Sequence, residues 1–223
     1  MNIIHGGGKL NGLKYSNSLE SIKLHASKHD MIEIDVIKLK DSYGIAHDGL
    51  ELDIYNHPKS FELTKLEEFL QLRAHNFQTT IDFRGLNEIM KEFRNAIFVL
   101  DIKEYENYID CLSHVKNSLD CIDNIIPQVF REEDLKACRD LGYKVCMLSL
   151  WKYFSDISDI KCDEFISKAQ EYGVDILGIA IFYDDYVKNK NFNSHDLTLY
   201  FYGQQLSDSE IKKFNEMGHY FFI

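Results

Sequence analysis

Two acids two residues apart, Glu33 and Asp35 in the run Ile32-Glu33-Ile34-Asp35-Val36, are the strongest chemical signal in the chain. Side chains alternate faces along a strand, so both carboxylates point one way while Ile32, Ile34 and Val36 fill the other face. Two acids on one face of a buried strand are costly unless a positive charge lies beside or between them. A divalent cation meets that need, and oxygen ligands suit Mg²⁺ or Ca²⁺ rather than Zn²⁺. The alternative is an exposed edge strand with solvated acids. Two histidines stand where they could flank such a cation. His5 ends the short apolar strand Asn2-Ile3-Ile4 and precedes three glycines, and His47-Asp48 follows Gly44-Ile45-Ala46. Taken alone, His47-Asp48 is a weak signal and reads more readily as a turn.

Other strand ends carry polar groups of the same kind: Asp101 and Lys103 after an apolar run from Ala96, then Gln128, then Tyr202. The glycine run fits neither standard phosphate loop. Asn11 stands where G-x-G-x-x-G needs its third glycine, and Leu13 stands where a Walker loop needs Lys. Gly6 and its neighbours instead read as a place where a loop and a ligand approach a strand end closely. Tyr200 and Tyr202 are candidates to line a pocket, and Trp151 reads as core or rim packing. The remaining histidines (His25, His29, His57, His75, His114, His195 and His219) show no metal-ligand spacing and are assigned to surface or ordinary packing.

The elements that must position these groups alternate. Asn17-Ser18-Leu19-Glu20 reads as a helix start with Asn17 at the N-cap and Glu20 three residues on. Met31–Leu39 follows as a strand, and a tight turn leads to Ile45–His47, so strand, helix and strand fall within about forty residues, a βαβ signature. Residues 49–95 are less regular, with helices expected over Phe61–Leu72 and Leu86–Phe93 and a short extended piece at Thr79–Phe83. A helical spacing runs from Tyr105 to Leu119. Strands are then expected at Asp123–Phe130, Tyr143–Leu150, Val174–Phe182, Leu197–Tyr202 and His219–Ile223, with helices at Arg131–Leu141, Asp163–Tyr172 and Asp208–Met217. Counted as the strands at Ile3, Ile32, Ala96, Asp123, Tyr143, Val174, Leu197 and His219, eight candidates predict an α/β chain folded as a (β/α)8 TIM barrel, with a doubly wound open sheet as the rival. The polar residues gathered at C-terminal strand ends favour the barrel.

At 223 residues the chain suits one domain, here 1–223. A net charge of −11 argues against nucleic-acid binding, which needs a basic surface. It leaves room for an anionic substrate held by a cation and a local lysine. The five cysteines form no C-x-x-C pair and read as buried thiols of a reduced compartment. No apolar run reaches a membrane-spanning length. The expectation is a cytoplasmic protein with no membrane span, and a strand beginning at residue 2 suggests a native N-terminus without a leader.

Taken together, IIHGGG, YSNSLESI, MIEIDVIKLKDSYGIAHDG, FVLDIKE and IIPQVF resemble the glycerophosphodiester phosphodiesterase family, within the phospholipase-C-like phosphodiesterase TIM barrels. The resemblance implies an enzyme that hydrolyses a small-molecule phosphodiester, a glycerophosphodiester giving glycerol 3-phosphate and an alcohol. It implies one divalent cation, Mg²⁺ or Ca²⁺, held by Glu33, Asp35 and Asp101, with His5 and His47 as the general acid–base pair. Lys103 would bind the phosphate or support the metal site, and Gly6, Gln128 and Tyr202 complete the expected substrate-binding set. Residues 49–80 would be the small insertion between the second and third barrel strands that caps the pocket.

Three positions depart from the family pattern. Gly6 stands where an Arg commonly follows the first His, Ser16 where a Glu commonly precedes the Asn, and Asp101 where a Glu is usual. These changes bear on the substrate more than on the activity class. A lyase, or a phosphodiesterase for another polyol, inositol or glycan diester, is the first alternative, and a non-catalytic barrel that binds a phosphorylated ligand is the second.

Overall fold

The computed structural model describes residues 2–28, 31–103, 106–149, 159–182, 184, 186, 197–202 and 208–223. They fall into two compact units, one spanning Ile4–Ile125 and the other Ile126–Ile223 with the first three residues.

The first of these is built on β1 (Met31–Lys38), whose residues are buried on both faces up to Ile37. Alternating Ile and Val fill one face and Glu33 and Asp35 sit in the other. Full burial on both sides is the usual state of a parallel strand covered by helices. β1 pairs in parallel with β5 (Ile97–Ile102), in a register that sets Asp35 opposite Asp101. Its other neighbour, β2 (Tyr43–Ile45), returns antiparallel through the tight turn. The expected strand at residues 2–4 is reduced to single bridges, among them Ile4 to Ile32.

Helix α1 (Leu19–Ala26) covers this sheet. Its N-cap is Ser18, whose Oγ accepts from Ser21 N at 3.2 Å, and not Asn17 as the spacing suggested. Asn17 lies one residue outside the helix in a left-handed conformation, φ 46°. That conformation is tolerated by Asn, and it turns the side chain away from the helix.

The irregular stretch contains α2 (Glu51–Tyr55), a 3-10 turn at Phe61–Leu63, α3 (Leu66–Phe69) and a hairpin of β3 (Arg73–Ala74) with β4 (Gln78–Thr79). The long helix expected over Phe61–Leu72 is therefore split, because Thr64 turns extended between the two short pieces. Tyr55, Phe61 and Phe69 pack with Ile37, Leu39 and Ala46 of the strand region into one apolar cluster. Burying side chains of this size contributes about 1.5–3 kcal/mol each, which fastens the stretch to the sheet. α4 (Phe83–Glu92), capped by Asp82, begins three residues earlier than its apolar spacing indicated. α5 (Tyr108–Ser118) completes the unit.

In the other unit β6 (Ile125–Val129), β7 (Val145–Ser149), β8 (Asp175–Phe182), β9 (Leu199–Tyr202) and β10 (Tyr220–Phe221) form a parallel series. Ile3 adds a parallel bridge to Phe222. Helices α6 (Glu132–Leu141), α7 (Asp159–Tyr172) and α8 (Asp208–Glu216) connect the strands. This is the strand–helix alternation that the periodicity predicted. Of the described cysteines, Cys111, Cys138 and Cys146 are buried, but Cys121 is exposed, which corrects the uniformly buried expectation. No helix among the described residues is long and apolar enough to cross a membrane.

Candidate active site

The site grows from the β1–β5 register. Glu33 and Asp35 share a face, and Asp101 stands beside Asp35 on the neighbouring strand, so carboxylate oxygens of all three lie within 4.8 Å of one another. All three residues are buried. Lys103, two residues past Asp101 and on the same face, brings its ammonium 2.7 Å from Asp35 and 2.5 Å from Asp101. One ammonium therefore faces three acids.

The acids respond to that imbalance in different ways. Burial, reinforced by Asp35 and Asp101, pushes the Glu33 carboxyl well above the usual range. Asp101 is raised as well, by burial first, with Lys103 opposing and Asp35 reinforcing. Burial acts upward on Asp35 too, but Lys103, His47 and His5 together hold it below its ordinary value. Glu33 Oε1 and Asp101 Oδ1 are buried without a hydrogen-bond partner among the described residues. A buried, unsatisfied carboxylate oxygen is costly. A hard divalent cation would satisfy both oxygens and offset the excess charge, so the donor set fits Mg²⁺ or Ca²⁺.

The glycine run wraps the first of these acids. Gly6 N donates to Glu33 Oε2 at 2.5 Å, and Gly7 N donates to the Glu33 carbonyl at 2.9 Å. Gly6 and Gly7 both have positive φ, and a Cβ on Gly7 would stand 2.8 Å from Asn17 Cα. Glycine is required for that approach. The Gly6 amide, expected among the substrate-binding groups, is thus directed at Glu33.

His5, just before the glycine run, has Nε2 3.9 Å from Glu33 Oε2 and a quarter of its side chain exposed. Burial lowers its pKa to about 4, against the pull of Asp35 and with help from Lys103, His47 and Lys14, so the imidazole is neutral near pH 7. His47 follows β2, where Ala46 N donates to the Asp35 carbonyl at 3.1 Å. Its Nδ1 lies 2.7 Å from the Asp48 carbonyl, an acceptor only, so Nδ1 donates that hydrogen bond and Nε2 is left outside it.

Two residues of the site carried no functional signal in the sequence. Asn17 clamps Asp35 from both ends: its Nδ2 donates to Asp35 Oδ2 at 2.8 Å, and its Oδ1 accepts from Asp35 N at 3.1 Å. An Asn before a helix reads as a cap, and only the left-handed backbone reveals the other use. Tyr15 sets its ring edge-to-face against both His5 and His47, with centroids 5.3 and 5.7 Å away. A tyrosine in a polar loop announces nothing of this.

The structure thus brings His5, Glu33, Asp35, His47, Asp101 and Lys103 together within the Ile4–Ile125 unit. Gln128 and Tyr202 belong to the other unit, where the Gln128 amide and the Tyr202 hydroxyl bond each other at 2.8 Å and the Tyr202 ring stacks on Phe222. Trp151 lies outside the described residues.

No protein-family model matches the chain, and no curated protein matches it in sequence. Solved structures do resemble it. One is a glycerophosphodiester phosphodiesterase from Parabacteroides distasonis, 16% identical with a TM-score of 0.72, covering 99% of this chain and 91% of that one. Another is a glycerophosphodiester phosphodiesterase from Agrobacterium tumefaciens, 14% identical with a TM-score of 0.58, covering 100% of this chain and 94% of that one. Likeness at such identities speaks to the fold, and it places the chain in the (β/α)8 barrel class that the strand order predicted.

Proposed function

We propose that this chain is a metal-dependent phosphodiesterase acting on a glycerophosphodiester, with glycerol 3-phosphate and an alcohol as products. The observation that carries this reading is the buried trio of Glu33, Asp35 and Asp101, two of whose oxygens lack a partner among the described residues, with His5 and His47 on its flanks. The names of the similar solved structures agree with it.

A phosphodiester resists attack because its negative charge repels nucleophiles and its alkoxide is a poor leaving group. Glu33, Asp35 and Asp101 would hold one Mg²⁺ or Ca²⁺, which when bound neutralises phosphate charge and stabilises the charge that develops on its oxygens. The chain's own groups do the rest. Asn17 keeps Asp35 in place, and Lys103, paired with Asp35 and Asp101, would bind the phosphate or support the metal site. One imidazole removes the proton from the attacking hydroxyl, either water or a neighbouring hydroxyl of the substrate. The other gives a proton to the departing alcohol oxygen. Each transfer contributes about 10²–10⁴-fold in rate. His47, with its Nδ1 proton engaged by Asp48, offers Nε2 for this purpose.

Residues 49–80 would cap the pocket as an insertion of the single 1–223 domain. The cytoplasm is the proposed location, with a small phosphodiester as partner and no nucleic acid.

The test is hydrolysis of a panel of glycerophosphodiesters and a chromogenic diester, each with Mg²⁺, Ca²⁺, Mn²⁺ or chelator. Metal-dependent release of glycerol 3-phosphate is the expected result. Turnover of the chromogenic diester alone, or a persistent cyclic phosphate, would transfer the assignment to another alcohol or to a lyase. Metal binding without turnover of any diester would overturn the enzymatic reading in favour of a ligand-binding barrel.

A further inference from the structure

Position 6 and position 15 share one space. Gly6 has φ +58°, and a Cβ built on it would stand 2.8 Å from Tyr15 Cδ1 and 3.2 Å from Tyr15 Cα. Tyr15 itself has φ 59°, a left-handed conformation that a bulky residue rarely adopts. Such an outlier persists only where its surroundings over-determine it, and it is a reason to look for a role. The surroundings here do so. The Lys14 carbonyl accepts from His75 Nε2 at 3.2 Å, and the Ser16 carbonyl accepts from Tyr55 Oη at 2.9 Å. Asn17 N donates to the Gly6 carbonyl at 3.3 Å, while the Asn17 side chain grips Asp35. Both His75 and Tyr55 come from the irregular stretch after His47, so that stretch braces the loop from behind. The loop then presents one aromatic ring to two imidazoles, at 81° to His5 and 65° to His47. Edge-to-face geometry is the favoured arrangement for such rings.

We propose that Tyr15 is a positioning residue that fixes His5 and His47 relative to each other and, by filling the space over Gly6, excludes a side chain from that position. This rests on the assignment of the two histidines to proton transfer. The ring does the positioning and the hydroxyl is not needed for it. A reaction that hands protons to both sides of one phosphorus requires both imidazoles aligned at once, and small misplacements of catalytic groups are expensive in rate. A single rigid ring touching both supplies that alignment. The insertion's buried Tyr55 and its His75 thereby act on the chemistry without touching it.

The experiment compares Tyr15→Phe with Tyr15→Leu in two readouts, first without substrate and then with it. Histidine Hε1 resonances, assigned with His5→Gln and His47→Gln, carry a ring-current shift from the tyrosine in the wild-type protein. Tyr15→Phe should keep that shift at both histidines, and Tyr15→Leu should lose it at both. In turnover, Tyr15→Leu should lower kcat by roughly 10- to 100-fold while KM moves by less than about threefold. Tyr15→Phe should hold kcat within about threefold. Equal kcat loss in Tyr15→Phe and Tyr15→Leu would overturn the ring as the active feature, as would a wild-type spectrum without the shifts. Unchanged kcat in Tyr15→Leu would overturn the positioning role. If Tyr15→Leu does not fold, the Tyr15→Phe result and the wild-type shifts still decide the matter. A wild-type protein that shows the shifts but turns over no diester would sink the proposed function while leaving the ring contact standing.

Discussion

Two buried carboxylate sites in this chain are held in opposite ways. Asp134, almost wholly inaccessible, accepts from Phe130 N at 3.0 Å, Arg131 N at 2.9 Å and Arg131 Nη2 at 2.9 Å. It closes the start of α6 with both oxygens used, one by a cation and the other by backbone. Glu33 is equally buried, yet it accepts only at Oε2 among the described residues, and its nearest charged neighbours include two further acids. The first arrangement is complete without anything added and needs only to be folded. The second is destabilising as it stands, and a cation would make it favourable. A buried acid that is fully answered is a piece of structure, and one left partly unanswered beside its like is a place for a ligand.

The sharpest way to break that contrast is to remove the groups thought to react. His5→Ala and His47→Ala are each expected to reduce kcat/KM on a glycerophosphodiester by about 10³-fold or more, in the range assigned to general acid–base catalysis with an aligned partner. Unfolding midpoints within a few degrees of wild type should accompany the loss. Near-normal turnover in either variant would remove that histidine from the mechanism.

Metal removal tests the contrast in stability terms. A cation at a hundred times its Kd adds about 2.7 kcal/mol to the folded state, or about 5–10 °C in midpoint for a chain of this size. Mg²⁺ or Ca²⁺ should produce that rise in the wild-type protein, and chelator should reverse it. In chelator, Glu33→Gln should be neutral or stabilising, because it removes one of three crowded acids, yet it should abolish the metal-induced rise. Asp134→Asn should do the reverse. It leaves a donor unanswered at the start of α6 and costs about 1–3 kcal/mol, with the metal response intact. Calorimetric melts of the two variants, with and without metal, read all four values. Identical behaviour of Glu33→Gln and Asp134→Asn would dissolve the distinction between them.

Much of this was legible in the sequence because it rests on periodicity and covalent spacing. Glu33 and Asp35 share a face by strand alternation alone, and the helices and strands from Glu132 to Phe221 follow hydrophobic periods that tertiary packing has no reason to override. What could not be read depends on backbone turns and on cross-strand register. Asp101 was named beside the pair only through the family resemblance, because its place follows from the register of β5 with β1, a relation that spacing along the chain does not encode. Asn17 and Tyr15 enter the site through positive φ values, set by hydrogen bonds from Tyr55 and His75, residues some forty to sixty positions away. The Phe61–Leu72 helix was overestimated for the same reason: the stretch folds to fill the cluster around Phe69, and local helical spacing yields to that packing.

A graded case lies between the answered and unanswered groups, and it gives the smallest expected effect. His114 on α5 sits against the rings of Tyr43 and Phe83, at 5.2 and 5.8 Å, with Asp82 as a compensating charge. Burial depresses its pKa below the ordinary value, and Asp82 only partly opposes this. The unfolded chain therefore binds the proton more readily than the folded one. Above the ordinary histidine value of about 6.5 both states are neutral and the group contributes nothing to pH dependence. Below it, protonation favours the unfolded state, so stability falls as pH falls, until the depressed folded value is passed. Urea midpoints measured from pH 7 down to pH 5 should decline by a small amount, and His114→Phe should flatten the part of that slope due to this residue. An unchanged slope in His114→Phe would mean that the apolar seat under the imidazole exerts no penalty on its charge. His114 would then belong with groups already answered by their neighbours.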